Sequence, residues 1–135
     1  MAITGVTRNP KKFGYQVYRS LKKNGYEVYP VNPMTAEIDG ERCYKDVSGI
    51  PADVNSLLIL NSRTHAIPIV KAAVEKGIHN IWIQQMSETP EAIDIAKSAN
   101  VNLVTGQCIF MFAEKVKGIH KFHRGMKKIF GALPK

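Results

Sequence analysis

The chain has 135 residues, 44% of them hydrophobic and 22% charged, two Cys and a formal net charge of +8. That length suits one domain with a real core, and the composition argues against wholesale disorder and against a disulfide scaffold. No apolar run reaches the roughly 20 residues of a bilayer span and no basic-then-apolar leader opens the chain, so the expectation is a soluble, cytoplasmic protein.

Residues 2–7 are mostly small or β-branched and predict a first strand running into a Gly-containing turn. Pro10 biases Asn9 away from the helical region, so residues 8–13 read as loop. Val17, Tyr18 and Leu21 share one face of a helix over 14–24, which Asn24-Gly25 stops. Residues 26–31 read as strand two, ended by Asn32-Pro33, and 34–53 as a loop with one short helix around 45–48. A buried strand over 54–60 is followed by a helix over 66–76, stopped by Gly77, and by a strand over 81–84. Thr89-Pro90-Glu91 is a helix start: a hydroxyl at the cap, Pro at the first position, an acid in the first turn. That helix runs to about residue 99, and 101–105 reads as strand five. The alternation predicts an α/β fold: a doubly wound parallel sheet of Rossmann type, with helices on both faces.

Ligands of such sheets lie beyond the carboxyl ends of the strands. Residues 1–26 hold six basic and no acidic side chains, 27–114 hold six basic and eleven acidic, and 115–135 hold seven basic and none acidic. Only the segment after strand one, Thr7-Arg8-Asn9-Pro10-Lys11-Lys12, is strongly cationic among the strand ends, and a helix start follows it. Cations and a helix N-terminus together describe a phosphate site. A dinucleotide fingerprint is missing, because only Gly5 and Gly14 flank a longer loop and Asn32 stands where an acid would hold the ribose of NAD. No Gly-Lys-Ser/Thr occurs, which excludes a Walker-type loop.

Several ordered motifs then coincide. Gly5-Val-Thr-Arg-Asn-Pro-Lys-Lys-Phe-Gly14, Gly25-Tyr-Glu-Val-Tyr-Pro-Val-Asn-Pro33, Ile38-Asp-Gly-Glu-Arg-Cys-Tyr44, Ile81-Trp-Ile-Gln-Gln85 and Gly106-Gln-Cys-Ile109 resemble the single-domain CoA-binding proteins. These are similar to the N-terminal domain of the succinyl-CoA synthetase α subunit, without its phosphohistidine loop and catalytic partner. The resemblance covers roughly residues 2–112 and implies a Rossmann-like domain that binds CoA or an acyl-CoA at its strand ends. By position it implies that Thr7, Arg8, Asn9 and Lys12 meet the phosphates and that Gly14 allows close approach. Asn32 and Pro33 would flank the adenosine, while Ser62, Gln84 and Cys108 would line the remaining wall. Where the family carries a more apolar, Pro-containing turn after strand three, this chain has Asn61-Ser62-Arg63.

No catalytic Ser-His-Asp, Cys-His or paired-carboxylate set assembles at that end of the sheet, and His120 and His123 lack companions for a metal. His65 reads as a surface histidine, Trp82 as core, and Cys43 and Cys108 as packing residues. Residues 113–135 read as a basic amphipathic helix, with Ile119, Phe122, Met126, Ile129 and Phe130 at helical spacing and Lys or Arg opposite. Its apolar stripe would dock on the domain (1–112) or on a partner subunit in a homo-oligomer. The expected function is therefore non-catalytic binding of CoA or an acyl-CoA, with no nucleic acid expected. The alternatives are an NAD(P)-binding or acyl-CoA-converting enzyme, and a nucleic-acid or membrane-surface protein acting through the basic helix.

Overall fold

A computed structural model describes residues 1–107; Cys108, the 112/113 boundary and the basic helix expected after it lie outside the described residues. Strand β1 (Ala2–Thr4) leads to helix α1 (Phe13–Lys23) and strand β2 (Tyr29–Val31). A small hairpin, β3 (Glu37–Ile38) and β4 (Glu41–Arg42), and one 3-10 turn (Val47–Gly49) precede β5 (Ser56–Ile59). Then follow α2 (Arg63–Lys76), β6 (Asn80–Gln84), α3 (Pro90–Ser98) and β7 (Asn102–Gln107).

Five strands form one parallel sheet in the order β2-β1-β5-β6-β7. Ile3, Leu58, Trp82 and Val104 pack with Val17, Tyr18 and Leu21 of α1 in one buried cluster. Ala2, Leu57, Ile59, Ile81 and Ile83 pack with Ala66, Val70 and Ala73 of α2 and Ala92 and Ala96 of α3 in another. The sheet is thus apolar on both faces, as a parallel sheet between helix layers requires. The expected α/β, Rossmann-like architecture is the one observed.

The elements differ from expectation mainly at their ends. Strand one is three residues long, because Gly5 takes a φ of +84° and turns the chain out of the sheet. An L side chain at Gly5 would also strike the next turn, its Cβ 2.9 Å from the Leu60 carbonyl carbon. Strand two is shortened to Tyr29–Val31 and holds Pro30, which the edge strand of a sheet tolerates. Helix α2 starts at Arg63 rather than 66 and carries Pro68 inside it. The hairpin was not anticipated; Asp39 (φ 52°) and Gly40 (φ 77°) form its turn. The cap at Thr89 is as expected, its hydroxyl accepting from the Ala92 N–H at 3.1 Å.

Candidate functional site

β1 lies between β2 and β5, so successive crossovers leave it in opposite directions. That reversal opens a crevice at the carboxyl ends of β1 and β5, the usual ligand position in such sheets. A cavity of about 330 Å3 lies there, lined by Thr4, Val31, Pro33, the Lys45–Val47 segment, Asn61 and the His65–Ala72 side of α2. Pockets for small ligands start near this size, at about 300 Å3.

Two of the lining residues, Thr4 and Asn61, carry a polar atom that is shut away from solvent. Thr4 Oγ1 and Asn61 Oδ1 are buried and have no hydrogen-bond partner. Buried polar groups are nearly always bonded, and leaving one unmade costs about 1–3 kcal/mol. A ligand that offers a donor and an acceptor would satisfy both. Neither residue was among the sequence candidates. The only signal was a threonine in an otherwise apolar strand and an asparagine where the resembled family has an apolar turn.

Beyond the end of β1, the β1–α1 loop builds itself from its own polar side chains. Thr7 Oγ1 accepts from the Asn9 N–H at 3.2 Å, Asn9 Oδ1 from the Lys11 N–H at 3.0 Å, and the Asn9 carbonyl from the Lys12 N–H at 3.0 Å. Thr7 and Asn9 therefore shape the loop, while Arg8, Lys11 and Lys12 stand exposed. Lys12 caps α1 without a side-chain bond, and no acid occupies the first turn. The first amides of a helix have no intrahelical acceptor, and the positive end of the dipole favours an anion. Gly14 serves a contact within the chain: a Cβ there would lie 2.1 Å from the Gly5 carbonyl oxygen. Its absence lets α1 start directly against the turn after β1.

Asn32 links the same turn to the end of β2. Its Nδ2 donates to the Val6 carbonyl at 2.8 Å, and its Oδ1 accepts from the Met34 N–H at 2.8 Å. Pro33, next to it, lines the cavity. Ser62 is the N-cap of α2 but makes no side-chain bond to the helix backbone; its hydroxyl meets His65 Nδ1 at 2.9 Å. Gln84 ends β6, two strands from β1, and so lies roughly 10 Å along the same edge. The described candidates follow the carboxyl ends of β1, β2, β5 and β6, and of them Pro33 lines the cavity.

Two acidic side chains, Asp39 and Asp46, are engaged within the domain. The Tyr15 hydroxyl donates to Asp39 at 2.9 Å and accepts from Arg19 Nη1 at 3.1 Å, which ties the β3–β4 turn to α1. A hydrogen bond from Ser48, helped by the Ser48 and Gly49 amides, holds the Asp46 carboxyl below its usual range. Cys43 is buried and burial pushes its thiol up, which disfavours the thiolate. Among the described residues no group of three His, Cys, Asp or Glu could hold a metal, and no helix is long and apolar enough to cross a membrane.

The model of one family, the CoA binding domain, matches residues 1–114. This chain belongs to that family. The α subunit of an ADP-forming acetate–CoA ligase II from Pyrococcus furiosus is 27% identical, over 100% of this chain and 30% of its own length. An uncharacterized protein of Bacillus subtilis is 21% identical over 81% of both chains. Among solved structures, a conserved hypothetical protein of Pyrococcus furiosus superposes with a TM-score of 0.80 at 33% identity, covering 83% of this chain and 97% of that one. The chain thus spans less than a third of the ligase subunit, and matches the hypothetical protein nearly end to end.

Proposed function

We propose that this CoA-binding-family chain binds CoA or an acyl-CoA and performs no chemistry on it by itself. The observation that carries the reading is the apolar cavity at the end of β1, two of whose lining residues hold unpartnered buried oxygens, together with the cationic loop and the helix start without a side-chain cap that follow the same strand. These two features fit the adenine and the pyrophosphate of a phosphorylated adenine carrier. The pyrophosphate would lie against residues 7–14, where Arg8 and Lys12 supply charge and the start of α1 the positive end of a helix dipole. The adenine would enter the cavity, its amino group donating to Asn61 Oδ1 and a ring nitrogen accepting from Thr4 Oγ1. Asn32 and Pro33 would flank the ribose, and Ser62, Gln84 and Cys108 the path of the pantetheine arm. The absence of an acid after β2 argues against NAD.

Titration calorimetry with CoA, acetyl-CoA, ADP and NAD tests this. CoA and acetyl-CoA should bind, NAD should bind far more weakly, and acetyl-CoA should survive incubation intact. Binding of NAD at equal strength would overturn the ligand assignment, and loss of the thioester would overturn the non-catalytic assignment. The ligase relatives support a second reading, in which the chain holds CoA for an ADP-forming acyl-CoA ligase. Formation of acetyl-CoA from acetate, CoA and ATP by this protein would favour it.

A further inference from the structure

In Rossmann-type sheets the ribose of the ligand lies by the end of strand two. An acid there holds free ribose hydroxyls, and a cation accepts a phosphate carried on them. The residues that follow β2 here, Asn32, Pro33 and Met34, are uncharged, and the Asn32 amide is committed at both ends. Charge reaches that point from another segment. Tyr44 pairs in parallel with Val31: its N–H donates to the Pro30 carbonyl at 2.8 Å, and its carbonyl accepts from the Asn32 N–H at 2.8 Å. Lys45 is therefore held level with Asn32 and Pro33, and it lines the cavity together with Pro33 and Val47.

Several other cations have partners within the domain, and Arg8, Lys11 and Lys12 belong to the β1–α1 loop. Lys22 pairs with Glu41 at 3.1 Å, Lys76 donates to the Ser48 carbonyl at 2.9 Å, and Arg42 lies over the Tyr44 ring. Lys45 has no ion pair within 4 Å among the described residues, and the adjacent Asp46 carboxylate is taken up by Ser48 and the turn amides. His65, the other basic side chain on the cavity wall, is bonded to Ser62. Resting on the reading above, we propose that Lys45 recognises a phosphate on the ligand's ribose and so selects CoA over carriers whose ribose is unmodified. An ammonium on a flexible stem suits a phosphate monoester as a point charge.

The test compares CoA with dephospho-CoA, which lacks only that ribose phosphate, on the wild type and on Lys45→Ala. Lys45 is exposed, so the variant should melt with the wild type. A charge-assisted contact corresponds to about a ten- to a hundredfold preference for CoA in the wild type. In Lys45→Ala the affinity for CoA should drop to that for dephospho-CoA, which itself stays unchanged; Lys45→Arg should retain most of the preference. Wild-type protein that binds both ligands equally, or a preference that survives Lys45→Ala, would overturn the role of Lys45 and leave the CoA reading intact. A wild type that binds neither would remove both.

Discussion

Replacing Gly14 with alanine tests whether the start of α1 must lie against the turn after β1. Gly14 is the second residue of the helix, so alanine would contribute at most about 1 kcal/mol of helix propensity. Against that gain, the new Cβ would stand 2.1 Å from the Gly5 carbonyl oxygen, 2.9 Å from its carbon and 3.2 Å from Val6 Cα. Non-bonded heavy atoms are most stable at about 3.5–4.0 Å, so the helix end must withdraw by about 1 Å or more. Overpacking of this kind costs about 1–3 kcal/mol, and the upper end applies because every neighbour is backbone. The net loss is about 1–2 kcal/mol, or a drop in Tm of roughly 3–10 °C for a domain of this size. Gly49→Ala is the control: its Cβ would meet nothing nearer than Asp46 Oδ1 at 4.0 Å, and it should melt within about 0.5 kcal/mol of the wild type. Thermal melts read both variants, and calorimetry should show weaker CoA binding by Gly14→Ala because the start of α1 has moved. Gly14→Ala melting at or above the wild type would refute the close approach.

Thr4→Val removes an unpartnered buried hydroxyl at nearly constant shape; it should raise Tm, by up to about 1–2 kcal/mol of stability, while weakening CoA binding in calorimetry. Thr89→Ala removes the acceptor for the Ala92 N–H and should cost about 1 kcal/mol in urea denaturation at unchanged m-value. Burial raises the pKa of Tyr18 and of Cys43 above their ordinary values of 10.0 and 9.0. The folded state therefore holds these protons more tightly than the unfolded one, and that stability is full below about pH 9 and lost as pH rises through the folded values. Melts across pH 7–11 should be flat at first and then fall; a Tm that stays level to pH 11 would contradict the burial of these groups.

The elements of the sheet were legible because their causes are local. Apolar runs mark the buried strands, Asn24-Gly25 and Gly77 stop α1 and α2, and Thr89-Pro90 starts α3. The cationic loop was legible for the same reason, since Arg8, Lys11 and Lys12 are neighbours in the chain. The hairpin was missed because its strands are two residues long, too short for an alternation to show, although Asp39-Gly40 is a recognised turn pair. The cavity was missed for a different reason. Its walls come from residues 4, 31–33, 45–47 and 61–72, which only the sheet order and the Val31–Tyr44 bridge bring together. A threonine in a strand looks like an ordinary β-former, and nothing in its neighbours reveals that its hydroxyl will lack a partner. Lys45 likewise read as part of a short helix, because its level with Asn32 depends on a pairing across 13 positions of the chain. The charge proposed to meet the pyrophosphate is thus written in one continuous segment. The groups proposed to recognise the base and the ribose are assembled from four, so substitutions at Thr4, Lys45 and Asn61 should alter which carrier binds with little effect on the grip of the loop.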